Sequence, residues 1–210
     1  MKRFVLFIGF LGIGLTGQLQ NVWFVDMSST GSQTGQTWSS AFVNLQHAID
    51  TAASGDTILV AKGTYYPSTI AGGGTHVRDK AFVLKPHSRI FGGFDGTESG
   101  LTDRDNDSAS LHITNRTILS GNIGNVNNDE DNTYHVVLSL NGNYNGQVDG
   151  FDIVDGYADS TSTHTIGGFN VYRNVGAGIN TWNSNATFSN CVIKDNVAKR
   201  GGAGVNNSGG

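Results

Sequence analysis

Three aspartates spaced three residues apart stand in and beside a short apolar run in the second half of the chain. They are Asp149, Asp152 and Asp155, and the run covers residues 148–154. Closely spaced carboxylates are the groups that hydrolysis of a glycosidic bond requires, so this trio is a candidate catalytic set. We favour a different role, in which these aspartates form turns and face solvent. With the apolar residues of the run inward, strand alternation directs Asp149 and Asp152 to the outer face.

Two loops carry alternating oxygen-bearing side chains, which is how many calcium-binding loops begin. The first loop has Asp103, Asp105 and Asp107, and the second has Asn127, Asp129 and Asp131. Neither loop has glycine at its sixth position or glutamate at its twelfth, both of which a calcium loop of this kind requires. We therefore favour solvated acidic loops and no cofactor, with Ca²⁺ left open as the alternative.

Other residue types that could do chemistry show no catalytic pattern. The six histidines lack metal-ligand spacing, and no serine–histidine–aspartate set or phosphate-binding glycine loop is present in the sequence. His135 falls in a predicted strand, where a structural role is expected. Trp38 and Trp182 stand near loops and could stack on sugar rings, although packing is the favoured role for each. Cys191, the single cysteine, is expected to be a buried apolar side chain.

A repeat indicates the elements that would position these residues. Residues 176–180, GAGIN, recur as 202–206, GAGVN, at an offset of 202 − 176 = 26 residues. Self-similarity at a period of about 20–50 residues is typical of stacked repeats, and the short β-prone runs between the copies favour a parallel β-helix. Ile179 and Val205 should then stack in the interior. Asparagines at one place in successive repeats should form a side-chain ladder.

Strands and one helix are predicted along the rest of the chain. Strand patterns bounded by Gly, Asn or Asp cover 22–26, 56–60, 82–84, 89–91, 117–119, 134–140 and 148–154. The apolar spacing over 42–53 predicts a helix that Ser39 or Ser40 caps and Gly55 ends. Three long loops, at 72–79, 96–111 and 122–133, are expected to form the working face of the scaffold.

Two stretches near the end resemble the repeats of a known group of proteins. GGAGVNN at 201–207 and FSNCVIKDN at 188–196 resemble the GGxIxN and F/I-x-x-N repeats of right-handed parallel β-helix proteins. Chlamydial polymorphic outer-membrane proteins and many secreted, pectin-lyase-like surface proteins of Bacteroidota carry such repeats. The stretch at 201–207 follows this repeat less closely than the usual GGAI does.

The beginning of the chain resembles the same family in the order of its motifs. An aromatic-Val-Asp strand, a Gly/Ser loop, a tryptophan before a helix and a strand ending in Gly-Thr-Tyr follow one another over residues 23–65. The likeness covers nearly all of the mature chain, although no single motif is specific. It implies an all-β fold, a right-handed parallel β-helix, with an N-terminal cap at 21–66 and β-helix turns at 67–210.

The resemblance leaves two classes of function open. The favoured one is a non-enzymatic scaffold or adhesin whose partner is a polysaccharide or a glycan of a host cell surface. The alternative is a polysaccharide lyase or glycoside hydrolase. Pectate lyases of this fold use outer-face carboxylates, basic residues and Ca²⁺ to take a proton from uronates, and glycosidases of this fold use paired carboxylates. Asp152 with Lys194 or Arg173 could imitate either arrangement.

The two ends of the sequence and its composition predict where the protein works. Residues 1–20 have a basic start and an apolar run too short to span a bilayer, which is typical of a secretory signal. A single cysteine permits no internal disulfide, and this suits the surface of a Gram-negative bacterium. The formal net charge of −4 gives no indication of nucleic-acid binding. The last residues open a new repeat, so we expect the protein to continue beyond them.

Overall fold

A computed structural model describes residues 20–104, 106–107, 112–113, 115–140, 142 and 146–209. This part is mostly β-strand, with one α-helix, α1 (Leu45–Thr51), and short 3₁₀ helices at Trp38–Ser40, Val77–Asp79, Leu101–Asp103 and Asp129–Asp131. The predicted all-β class is therefore confirmed. No helix in these ranges is long and apolar enough to cross a membrane. The predicted signal segment lies outside the described residues except for Gln20.

The described residues contain nineteen short strands. In order they are β1 (Val22–Val25), β2 (Thr57–Ala61), β3 (Gly63–Tyr65), β4 (Phe82–Val83), β5 (Arg89–Phe94), β6 (Asn106–Asp107), β7 (His112–Ile113), β8 (Thr117–Ser120), β9 (Val137–Leu140), β10 (Gln147–Asp149), β11 (Phe151–Val154), β12 (Tyr157–Ala158), β13 (Thr163–Ile166), β14 (Phe169–Tyr172), β15 (Ile179–Trp182), β16 (Thr187–Ser189), β17 (Val192–Ile193), β18 (Val197–Ala198) and β19 (Val205–Ser208). Six of the seven predicted strands are present, with ends shifted by at most three residues.

Parallel pairing joins most strands into three sheets. The first sheet has the order β1-β2-β5-β10-β16, the second β3-β8-β11-β17 and the third β4-β9-β15-β19. The chain visits the first, second and third sheet in that order and then returns to the first. Each return places a new strand beside the strand laid down on the previous visit. Neighbouring strands of one sheet are therefore far apart in sequence.

One apolar core is shared by the three sheets. Strand register places residues of like character side by side: Ile58, Ile90 and Val148 in the first sheet, Leu119 and Ile153 in the second, Val137 and Ile179 in the third. All of these side chains are almost completely buried in the same cluster. Burial of a branched or aromatic side chain contributes about 1.5–3 kcal/mol, so these inner columns dominate the stability of the fold.

The repeat at 176–180 and 202–206 is confirmed as a structural repeat. Ile179 pairs in register with Val205, and the amide of Asn206 donates to Oδ1 of Asn180 at 3.0 Å, which is the predicted asparagine ladder. Ile179 is fully buried. Val205 continues the column of Ile179, but the burial expected of it is not found on β19, the last described strand of the third sheet, where its exposure is 46%.

The helix lies against the same core but starts later than predicted. Helix α1 buries Leu45 and Ile49 in the shared cluster. Its N-cap is Asn44, whose side chain accepts from the amide of His47 at 3.2 Å, so capping by Ser39 or Ser40 is wrong. Phe42 is extended because its backbone bonds to β1, and the helix can begin only after it.

The predicted strand at 148–154 is two strands in two sheets. Gly150, with φ of +85°, separates β10 of the first sheet from β11 of the second. A side chain at such a φ would be strained, so glycine makes this corner possible. The corner also resets the alternation, and Val148 and Ile153 both point inward although they are five positions apart, an odd number that would place them on opposite faces of one strand.

An antiparallel hairpin, which the sequence reading missed, covers part of the third sheet from outside. Strands β13 and β14 pair across Gly167 and Gly168, both with positive φ. A two-residue loop with this conformation matches the twist of the strands that it joins. Val171 of the hairpin packs against Leu138 on the outer face of the third sheet.

Candidate functional site

Asp149 lies on the outer face of the first sheet, as alternation predicts, but it does not face solvent. Its side chain is 7% exposed, and Oδ1 lies 2.6 Å from Nη1 of Arg104. The second carboxylate oxygen, Oδ2, accepts from the hydroxyl of Ser189 at 2.6 Å and from the side-chain amide of Asn190 at 2.9 Å. The prediction of a solvated aspartate is wrong, because the segment that carries Arg104 lies over this face and excludes water.

Asp152 is also buried and ion-paired, on the outer face of the second sheet. Its partner is Arg116. The basic residues considered beside Asp152 in the enzyme alternative have other partners: Nζ of Lys194 lies 3.8 Å from Oδ2 of Asp195, and Arg173 binds another carboxylate. A carboxylate held by a guanidinium has its oxygens occupied before any substrate arrives. Solvent exposure of Asp152 is therefore not found either.

Asp155 is the member of the trio for which the turn interpretation is confirmed. Its φ is +62°, in the left-handed region that aspartate tolerates in turns. Its carboxylate accepts from the hydroxyl of Ser120 at 2.7 Å. Asp149, Asp152 and Asp155 thus each have a separate set of partners, and the structure gives them separate structural roles.

The two acidic loops bind their own backbone in the part of the chain that the structure describes. Asp103 accepts from the amide of Ser99 at 3.1 Å, and Asp131 accepts from the amide of Asn125 at 2.9 Å. Asp129 starts the neighbouring 3₁₀ helix and is exposed. Asp105, and the side chain of Asp107, lie outside the described residues. Among the residues described, no three acidic, histidine or cysteine side chains gather in a way that could hold a metal ion.

A groove of about 390 Å³ opens beside the third sheet, and we call it the hairpin groove. It lies between the β13–β14 hairpin and the strands β15 and β19. Its polar and aromatic lining comprises Asn170, Tyr172, Asn180, Trp182, Arg200, Asn206 and Ser208. The volume falls in the range of about 300–1,000 Å³ that is common for ligand pockets. This groove is therefore a candidate binding surface on the described chain.

A buried ion pair fixes the hairpin that forms one wall of the groove. Arg173, directly after β14, donates to both oxygens of Asp79, from Nε at 2.7 Å and from Nη2 at 2.6 Å. The amides of Thr75 and His76 donate to the same carboxylate at 3.1 and 3.0 Å. Burial alone would raise the pKa of Asp79, but the bonds from Arg173 and from the backbone prevail, and its pKa lies below the usual value.

Two buried histidines stand near this ion pair. His135 bonds through Nδ1 to the carbonyl of Gly176 at 3.0 Å, and burial lowers its pKa to about 4. Burial also lowers the pKa of His164, against the opposing effect of Asp79. Both side chains are therefore neutral near pH 7. The structural role expected for His135 agrees with this complete burial, and neither ring opens to the groove lining.

The two tryptophans considered for sugar stacking have different surroundings. Trp38 packs against Phe24 and Phe94, with ring centroids 4.8 and 5.9 Å away, and donates to the carbonyl of Glu98. The favoured packing role is confirmed for Trp38. Trp182 instead lines the hairpin groove, with its side chain only partly buried.

Sequence reasoning did not find Tyr172 or Arg200, and one signal was available. The run THTIGGFNVY at 163–172 alternates about a Gly-Gly pair, which is a strong hairpin pattern. Recognising it would have placed Tyr172 on a hairpin. The approach of Arg200 to that hairpin depends on strand pairing between distant segments, which no local pattern specifies.

Comparison with known proteins yields no relationship. No protein-family model matches the chain, and no significant match is found among curated proteins or solved structures.

Proposed function

We propose that the chain forms a right-handed parallel β-helix that is exported and displayed on a Gram-negative cell as an adhesin-like scaffold. The observation that carries this proposal is the ordered return of the chain to the same three parallel sheets. Like residues fall side by side at each return, as Ile58, Ile90 and Val148 do. Crossovers between parallel strands of one sheet are right-handed in about 98% of cases, which favours that hand.

The resemblance to secreted β-helix surface proteins supports display, and the surroundings of the carboxylates favour a scaffold over an enzyme. A lyase or hydrolase needs carboxylates that reach the substrate. Asp149 and Asp152 are both buried and tied to arginines. The alternative, a polysaccharide lyase or glycoside hydrolase, therefore has less support. Binding of Ca²⁺ by the acidic loops stays a prediction.

Display is tested by expressing the protein in a Gram-negative host and treating intact cells with protease. We expect cleavage of the protein on intact cells, and an N-terminus between about residues 18 and 23 after signal removal. A periplasmic marker protein serves as the control for intact outer membranes. Recovery of uncleaved, protease-protected protein in the cytosol would contradict the proposal.

The scaffold role is separated from the enzyme by a product assay. Protein is incubated with uronate-containing and neutral polysaccharides, with Ca²⁺ and with chelator, while new double bonds and new reducing ends are followed. We expect neither product. Release of a product that Asp152→Ala abolishes, in a variant that still folds, would establish the enzyme instead.

A further inference from the structure

We propose that the hairpin groove binds an anionic saccharide, one that carries carboxylate or sulfate groups. Aromatic side chains would contact the sugar faces, and Arg200 would bind the negative group. This inference rests on the proposed surface display, because it identifies the class of partner that a displayed scaffold would meet. It depends on three features of the groove: its aromatic residues, its polar ladder and its single charge.

The aromatic residues of the groove are available for contact. Tyr172 is 40% exposed, and Trp182 is partly buried on the neighbouring strand β15. Trp23 and Trp38, in contrast, both donate their indole N–H within the fold, to Asp56 and Glu98. The indole N–H of Trp182 has no partner among the described residues. Aromatic rings combine an apolar face with a polar edge, which suits the mixed C–H and hydroxyl surface of a sugar.

A polar ladder forms the floor beside these rings. The side-chain amide of Asn206 donates to Oδ1 of Asn180 at 3.0 Å and to the hydroxyl of Ser208 at 3.1 Å. These bonds fix the orientation of the ladder. They leave the carbonyl oxygen of Asn206 as an acceptor and the hydroxyl hydrogen of Ser208 as a donor. Sugar hydroxyl groups both donate and accept, and a preoriented pair of this kind matches them.

The charge in the groove is positive and unpaired. Arg200 is exposed and is the one charged residue in the lining of the groove. Its guanidinium makes no ion pair with any described side chain. The neighbouring Lys199, in contrast, has its Nζ 4.0 Å from Oδ2 of Asp159. The backbone amide of Arg200 donates to the carbonyl of Asn174 at 3.0 Å and so holds this segment beside the groove. A guanidinium matches the planar oxygens of carboxylate and the oxygens of sulfate.

The groove favours a saccharide over a peptide because its exposed binding groups are separate side chains and not a continuous row of backbone amides and carbonyls. The exposed aromatic, amide, hydroxyl and guanidinium groups lie on the outer face of the paired strands β15 and β19, whereas the unpaired edge of this pair is that of β19, at the end of the third sheet. A peptide strand that binds by extending a sheet requires such an edge. A sugar chain needs stacking surfaces and separate polar contacts, which this groove has.

Binding is measured by tryptophan fluorescence and by calorimetry with three defined probes of equal length. These are a sulfated chondroitin oligosaccharide, a hyaluronan oligosaccharide that carries carboxylate only, and a neutral chitin oligosaccharide. We expect saturable binding of at least one anionic probe and at least about tenfold weaker binding of the neutral one, which corresponds to about 1.4 kcal/mol. The two anionic probes distinguish sulfate from carboxylate as the recognised group.

Variants separate the two kinds of contact. Arg200→Gln should weaken binding of the anionic probe about tenfold and leave binding of the neutral probe unchanged. Lys199→Gln, the matched control, should change neither affinity. Trp182→Ala should weaken binding of the anionic probe at least about tenfold and remove the change in tryptophan fluorescence on binding. If Trp182→Ala fails to fold, Tyr172→Ala at an exposed position takes its place.

Three results would overturn the inference. One is the absence of binding by folded protein, and a second is equal binding of anionic and neutral probes. The third is binding that Arg200→Gln and the aromatic variants leave unchanged. The test is independent of display, because purified protein can bind saccharide even if the export experiment fails. Surface-displayed protein that binds no probe would leave the scaffold proposal intact and remove this one.

Discussion

The first and third sheets differ in what covers their outer faces. On the first sheet, Leu59, Phe91 and Phe94 are buried beneath partly buried side chains, among them Trp38 and Leu101. On the third sheet, the hairpin buries Leu138 and its neighbours, but the cover stops there. The following strands present the asparagine ladder and Trp182 to the hairpin groove.

This difference shows that outer faces of the same parallel architecture can serve stability or recognition. The inner columns are apolar in both sheets, so the inner face is set by the need for a core. The outer residues of each strand are free of that requirement. Where they are apolar and covered they add to stability, and where they are polar and open they provide a surface for a partner.

Loss of the shared core should abolish the fold, including both outer faces. Ile179→Asp would place an unpaired charge in a fully buried column beside Val137, and such burial is strongly unfavourable. We expect loss of the cooperative unfolding transition in circular dichroism. Val126→Asp is the control, since the 76% exposure of Val126 should limit the effect to about 1 kcal/mol or less. Equal effects at the two positions would contradict the shared core.

Removal of the hairpin anchor should be the largest effect that acts on the third sheet alone. Asp79→Ala leaves Arg173 buried without its partner, and breaking one side of a buried pair costs about 3–5 kcal/mol in unfolding free energy. Urea unfolding measures this loss. The exposed pair of Lys62 with Asp95 is the control, since Lys62→Ala should cost no more than about 1 kcal/mol. Comparable losses would mean that the hairpin is not anchored by this pair.

The contrast between the faces is tested directly by truncating one aromatic residue on each. Phe91→Ala on the closed face should lower the unfolding free energy by about 3–5 kcal/mol, because it opens a cavity. Trp182→Ala on the open face should cost clearly less, because its ring is only partly buried. Urea unfolding of both variants gives the comparison. A loss at Trp182 as large as that at Phe91 would make the groove a structural feature.

Acid should weaken the protein on the side of the third sheet. The pKa of His135 is about 4 in the folded protein and near 6.5 when the chain is unfolded. Between these values the unfolded chain binds a proton that the folded chain does not, so stability is complete above pH 6.5 and falls as the pH approaches 4. The predicted loss is about 3 kcal/mol. The lowered pKa of His164 acts in the same direction.

The pH effect is measured by urea unfolding at a series of pH values from neutral to acid. His135→Gln, which keeps an N–H donor, should flatten the profile in this window and leave the slope due to His164. The lowered pKa of Asp79 adds a further loss at lower pH, as its carboxylate becomes protonated in the folded state. A profile that the variant does not change would show that His135 is not the titrating group.

Local patterns in the sequence determined six of the strands, the presence of the helix and the repeat. Alternating apolar residues and glycine or asparagine boundaries specify short strands wherever they occur, and the 26-residue offset correctly paired Ile179 with Val205. These features depend on neighbours in sequence, and a sequence displays them directly.

Only the tertiary structure decided what covers each outer face. It thereby also decided whether the candidate aspartates are exposed to solvent or buried in ion pairs. Arg104 and Arg116 come from segments distant in sequence, and they convert two aspartates that pattern alone assigned to solvent into buried ion pairs. Arg200 likewise reaches the hairpin groove through parallel pairing of late strands with earlier ones. Each of these contacts joins segments that only the folded chain brings together. Solvent exposure, ion pairing and the shape of a groove are properties of that arrangement, so no local sequence pattern carries them.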